Sequence, residues 1–132
     1  IYNARCTRIN NWIDHIKRQS MKKIEAIIRM SKFEEVKAAL AEIDVLFFTL
    51  HDVRGYGLLQ GEKMIYRGSE YGTEFIERVQ MDIFTTKEKC PEIVEVILKS
   101  GATGKIGDGK IAVLPIDTVY RIRNAEQNAE AI

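Results

Sequence analysis

Apolar and polar side chains alternate from Met21 onward, with Ile24, Ala26 and Ile28 on one side and Lys23, Glu25 and Ile27 on the other. A period of two predicts a first strand, buried on one face and partly on the other. The period then changes to a helical one through Phe33, Val36, Leu40 and Ile43. Ser31 with Glu34 three positions later predicts a capping box, which would satisfy free backbone N–H groups at that helix start. Residues 45–54 (VLFFTLHDVR) and 79–86 (VQMDIFTT) concentrate β-branched and aromatic residues and predict two more strands. Cys90, Ile93, Val94 and Ile97 give a second apolar helical stripe, from the late eighties to residue 100. Pro91 fits its first turn, where a missing N–H has no intrahelical partner, and Gly101 is the expected left-handed cap. After a glycine-rich stretch, KIAVLP predicts the last strand. The order βαββαβ is that of an α+β, ferredoxin-like sandwich, with two helices on one face of an antiparallel sheet. The other face is left bare, which favours oligomerisation.

Between strands 2 and 3 lies GYGLLQGEKMIYRGSEYGTEFIE, with five glycines and no consistent period. Connections of that length inside a compact domain are uncommon and usually functional, so residues 56–76 are expected to form a long mobile loop. Residues 1–20 differ in character from the rest, and a boundary near Met21 divides a leader or extension from one domain over 21–132. The leader is basic but lacks a continuous apolar run, so it is a poor secretory signal. Trp12, Ile13 and Ile16 would line one side of a short helix, and a leader from expression or start-site choice stands open beside that reading.

Composition narrows the class. The 132 residues are 45% apolar and 30% charged, values of a globular chain that is neither disordered nor membrane-embedded. No run approaches the roughly 18 apolar residues of a spanning helix. A net charge of +1 gives no global attraction to nucleic acid or an anionic membrane, so particular basic residues must carry any anion binding. Cys6 and Cys90 form no CxxC pattern, which argues against a zinc site or a disulfide framework and fits a reducing cytoplasm. His15 and His51 are too isolated to propose a metal or catalytic pair. No metal site and no catalytic residue are expected.

The densest chemical signal is Thr103-Gly104-Lys105-Ile106-Gly107-Asp108-Gly109-Lys110. Closely spaced glycines let backbone N–H groups turn toward an anion, and Lys105 and Lys110 add charge. Gly104 to Lys110 meets the start of the P-loop pattern, but Ile111 stands where a hydroxyl residue would hold magnesium, and a strand follows instead of a helix. Both departures argue against a P-loop NTPase, while a plain glycine turn between helix and strand stays open for the segment alone. Arg121 and Arg123 would point to the same side if extended, and guanidinium groups bind phosphate bidentately.

These residues resemble the PII signal-transduction family. Tyr66-Arg67-Gly68-Ser69-Glu70-Tyr71 looks like the signature of that family's large loop, Thr103 to Lys110 resembles its nucleotide loop, and Arg121-Ile122-Arg123 matches its ending. The likeness covers Met21 to Ile132. It implies a cytoplasmic homotrimer that binds ATP or ADP in clefts between subunits and docks its large loop on protein targets, such as an ammonium transporter or a nitrogen-assimilation enzyme. By carry-over, Gly107, Asp108, Gly109, Lys110, Arg121 and Arg123 would surround the phosphates. Thr49, Gly55, Gly57 and Phe84 would contribute to the rest of the nucleotide site. In the family, 2-oxoglutarate binds beside the nucleotide through magnesium, the loop base and a basic residue, which points to Gln60, Gly61 and Arg78. Tyr71 occupies a position uridylylated in some members, and Ser69 one phosphorylated in others.

The departures matter for function. The family's Arg-Gln pair at the loop base is here Leu58-Leu59, and leucine cannot coordinate a hard cation. Phe47 and Phe48 replace a small residue and a methionine near the base pocket, and Asp44 replaces a common turn glycine. A divergent sensor of ADP, AMP or another metabolite, without the magnesium and 2-oxoglutarate response, is thus the alternative to the nitrogen sensor. An enzyme such as a slow ATPase lacks a general base, an activated nucleophile and a complete magnesium site. An RNA-binding sheet would need exposed aromatics, which KIAVLP and MKKIEAIIR do not offer. No nucleic acid and no membrane insertion are expected.

Overall fold

The computed structural model describes residues 8, 9, 11–13, 20–58, 64–66, 69–71 and 73–132. Residues 8, 9 and 11–13 are helical and leave Trp12 and Ile13 exposed, while Cys6, His15 and Ile16 lie outside the described residues. Strand β1 (Met21–Arg29) follows the period-two pattern: Ile24, Ala26 and Ile28 are buried and Ile27 is exposed. Helix α1 (Phe33–Glu42) buries Val36 and Leu40 against the sheet. The expected Ser31–Glu34 capping box does not form. A 3-10 turn over Met30–Lys32 carries the chain into α1, Ser31 is already inside that turn, and neither start has a side-chain cap. Glu34 pairs instead with Lys37 at 2.8 Å and Glu35 with Lys32 at 2.7 Å.

The second strand is displaced from its expected span of 45–54, because β2 runs Thr49–Leu58. Residues 43–48 are needed for the helix-to-strand turn. Val45 donates its N–H to the Leu40 carbonyl at 2.9 Å and enters the core, Phe48 packs edge-on against Phe33, and Asp44 takes a φ of 62°. That left-handed conformation is the reason a glycine would be at home at Asp44.

Strand β5 (Thr73–Thr86) likewise starts before residue 79. It stays paired with β2 out to Leu58 and Thr73, so the ribbon extends into the segment expected to be a loop. Tyr56 and Phe75 face each other across it with ring centroids 5.5 Å apart, a pair worth about 0.5–1.5 kcal/mol beyond area burial. Between them, β3 (Met64–Tyr66) and β4 (Ser69–Tyr71) form a short hairpin.

Helix α2 (Cys90–Gly101) has Pro91 in its first turn and buries Cys90, Ile93 and Ile97. Gly101 is its last residue, not a left-handed cap, and the chain turns extended at Ala102. A side chain at Gly101 would touch Val36 and Ile28 at 3.6 and 3.8 Å, so the glycine lets this last turn lie against α1 and β1. Strand β6 (Gly109–Ile116) completes an antiparallel sheet in the order β2-β5-β1-β6. With α1 and α2 on one face, this is the ferredoxin-like α+β sandwich. No helix among the described residues is long and apolar enough to cross a membrane.

The bare face can be read from the strand register, tier by tier. Phe84, Lys23 and Leu114 lie side by side, then Thr49, Asp82, Glu25 and Ala112. His51, Gln80, Ile27 and Lys110 follow, and Val53, Arg78 and Arg29 form the last tier. Ile27, Phe84 and Leu114 are exposed there. Asp82 is only 8% exposed, because His51 and Gln80 both reach its carboxylate at 2.9 Å and Lys23 stands at 3.6 Å. Burial pushes the Asp82 carboxyl up, but the hydrogen bonds from Gln80 and His51 and the charge of Lys23 outweigh it and hold the pKa below its ordinary value.

Candidate functional site

The glycine loop from Thr103 to Gly109 closes over the last tier of the bare face. Its hub is Asp108, whose carboxylate accepts the Thr103 N–H at 2.8 Å, the Thr103 hydroxyl, the Gly104 N–H at 2.9 Å and Arg29 Nε at 2.9 Å. The Arg29 bond first, then those from Thr103, hold the Asp108 carboxyl well below the usual carboxylate range. Asp108 thus serves the loop itself, and its side chain is directed to Arg29 and Thr103.

Arg29 ends β1 and Arg78 lies within β5, and the register pairs them. Arg29 Nη2 donates to the Ile106 carbonyl and Arg78 Nη2 to the Gly107 carbonyl, each at 2.9 Å. A trans peptide points its C=O and the following N–H in opposite directions. With the carbonyls of Ile106 and Gly107 turned toward the arginines, the N–H groups of Gly107 and Asp108 turn away from them. Neither finds an acceptor among the described residues. Gly107 takes a φ of 98°, and a side chain there would stand 3.0 Å from Arg78 Nη2 and 3.4 Å from Arg29 Nη2. Successive N–H groups presented in this way make an anion-binding concavity. Burial and then the nearby charge of Arg29 lower the Arg78 pKa from its ordinary value.

Lys110 follows at the start of β6, exposed and without an ion-pair partner among the described residues. The remaining candidates are not gathered here. Thr49 lies beside Asp82, four residues along β5 from Arg78, and Phe84 six residues along, so they stand roughly 13 and 20 Å from the loop tier. Gly55 and Gly57 sit in the β2–β5 ribbon. Strand β6 runs away from the loop, so the tail carrying Arg121 and Arg123 starts at its far end, roughly 24 Å off.

Arg121 and Arg123 are not the extended pair expected from their spacing. Residues 122–124 form a turn, closed by the Arg121 N–H on the Glu126 carbonyl at 2.8 Å and by the Ala125 N–H on the Arg121 carbonyl at 2.9 Å. The Arg121 guanidinium is held by the Glu126 carboxylate, while Arg123 is exposed. Gln60 and Gly61 lie outside the described residues, and Ser69 and Tyr71 are placed in β4 by backbone alone. Among the described residues no three His, Cys, Asp or Glu side chains could hold a metal ion together.

Arg29 and Glu126 are the residues that sequence reasoning missed. For Arg29 the signal lies in pairing, since only the β1–β5 register puts it opposite Arg78, and for Glu126 in the turn that returns it to Arg121.

Residues 21–126 match the family described as Nitrogen regulatory protein P-II. The chain is 43% identical over 112 residues to the nitrogen regulatory protein P-II of Pasteurella multocida (strain Pm70), covering 85% of this chain and 100% of that one. The protein of the same description from Azospirillum brasilense is 40% identical over the same shares. The crystal structure of Arabidopsis thaliana PII bound to citrate superposes with a TM-score of 0.68 at 32% identity, over 84% of this chain and 88% of that one. The chain therefore belongs to the nitrogen regulatory protein P-II family, whose members are signalling regulators and not enzymes.

Proposed function

We propose that the protein is a cytoplasmic homotrimer that binds ATP or ADP between subunits and passes its occupancy, through residues 56–76, to protein targets of nitrogen metabolism. The observation that carries this reading is the pair of outward N–H groups at Gly107 and Asp108 beside the exposed Lys110. Such a cradle suits a phosphate chain. The trimer is supported by the bare sheet face and by the separation, within one chain, of the loop from Thr49, Phe84 and the arginine tail. A neighbouring copy would supply the distant half. The phosphates would then draw Arg121 away from Glu126.

A calorimetric titration with ATP and adenosine tests the reading. In Lys110→Ala, ATP binding should weaken about tenfold, because a charge-assisted contact to phosphate is lost, while adenosine binding stays unchanged. Equal losses for both ligands would sink the assignment. Light scattering should give three times the 15.1 kDa chain mass, and a strict monomer at micromolar concentration would refute the trimer.

A second reading, the divergent sensor without a 2-oxoglutarate response, is favoured by Leu58-Leu59 and by Arg78, which is engaged on the Gly107 carbonyl. Adding magnesium and 2-oxoglutarate to the ATP titration should leave the isotherm unchanged. Tight, magnesium-dependent binding would rule this reading out in favour of the metabolite-responsive one.

A further inference from the structure

We infer that Arg29 is a positioning residue that sets the anion-binding geometry of the glycine loop without touching the ligand. The inference rests on the nucleotide reading above and goes further, to the group that makes the cradle. Arg29 makes two bonds in different directions: Nε to the Asp108 carboxylate and Nη2 to the Ile106 carbonyl, both at 2.9 Å. The first ties the loop hub to β1, a central strand. The second fixes the peptide between Ile106 and Gly107, with its carbonyl toward Arg29 and its N–H outward. Arg78 does the same for the next peptide from β5. The two paired arginines thus hold two consecutive peptide planes in the orientation an anion needs, before any ligand arrives.

This geometry uses the fork of a guanidinium. A lysine at position 29 has one nitrogen at the end of a flexible stem, and it cannot hold the carboxylate and the carbonyl from two fixed directions. Ordering the loop in advance removes a cost that binding would otherwise carry. Arg29 is also one of the two positive charges beneath the loop, while its own charge is engaged by Asp108. Its contribution is therefore to orientation, and it should fall on the phosphates and not on the base.

The test uses the full chain with tripolyphosphate, ATP and adenosine as probes, and amide NMR of Gly107 and Asp108. In the unmodified protein, tripolyphosphate should shift both amide protons downfield. In Arg29→Ala, tripolyphosphate and ATP should bind at least tenfold more weakly, adenosine unchanged, and the two amide shifts should be lost. Arg29→Lys should recover only part of the affinity. Wild-type affinity and shifts in Arg29→Ala would overturn the inference and leave the nucleotide reading intact, and so would full recovery in Arg29→Lys. An equal loss for adenosine would assign Arg29 a general structural role instead and overturn it too. If Arg29→Ala does not fold, Arg29→Lys decides: a three- to tenfold loss for tripolyphosphate and ATP with adenosine unchanged supports the inference, and no loss overturns it. If the unmodified protein binds neither ATP nor tripolyphosphate, the nucleotide reading falls and takes this inference with it.

Discussion

Replacing Gly109 with alanine is expected to lower the free energy of unfolding by about 3–5 kcal/mol, the sum of backbone strain and overpacking at one position. Gly109 has a φ of 104°, in the region L side chains rarely adopt. A Cβ there would lie 1.8 Å from the Ile27 carbonyl oxygen and 2.8 Å from its carbon. These are backbone atoms of β1, which is hydrogen-bonded to β5 on one side and β6 on the other. No rotamer change can relieve the clash. Either the start of β6 leaves the sheet or β1 shifts, and Ile28, buried next to the clash, shifts with it. Gly104→Ala is the control, since its φ of 80° brings strain but nothing lies within 4 Å of its new Cβ. That change should cost about 1–2 kcal/mol. Urea unfolding at equal chain concentration measures both. Equal losses for the two variants would show that the close approach to Ile27 is not what fixes this turn.

Much of the fold is legible in the sequence because burial on one face leaves a periodic mark. Ile24, Ala26 and Ile28 announce β1, and Val36 with Leu40 announces α1, since each set meets the same core. The errors fall where local signals compete with tertiary demands. Val45 and Phe48 look like strand residues, yet they anchor the turn before β2. Ser31 has the spacing of a cap, but the preceding 3-10 turn had already begun the helix. Gly101 resembles a cap because glycine is common there, whereas its use is close contact with Val36 and Ile28.

The site is legible only in part. A dense run such as Thr103 to Lys110 is visible because its glycines and charges are contiguous. Its supports are not, because Arg29 and Asp108 are distant in sequence and meet only through the β1–β6 register. Arg121 illustrates the opposite error. Its spacing from Arg123 suggested a shared side, but the Glu126 carboxylate and the turn at 122–124 fix its direction.

Asp108→Ala should weaken ATP binding by roughly ten- to thirtyfold, which corresponds to about one residue's worth of backbone freedom returned to the loop. The carboxylate gathers Thr103, Gly104 and Arg29, so its loss frees both ends of the loop at once. Asp108→Asn should be intermediate. An amide has one acceptor oxygen, and its NH₂ would face the N–H donors that now meet the carboxylate. The same hub gives a pH dependence of definite sign. The folded-state pKa of Asp108 lies below its ordinary value, so the stabilisation is complete above the unfolded value of about 3.9 and is lost as pH falls through the folded one. From neutral pH down to about 4, the loop should therefore keep its protection against amide exchange at Thr103 and Gly104. Below that, the protection of these two amides relative to their intrinsic exchange should fall as the carboxyl is protonated, and the Asn variant should lack this acid-dependent fall. Exchange that is equally fast in the unmodified protein and in Asp108→Ala at neutral pH would show that the carboxylate does not hold the loop.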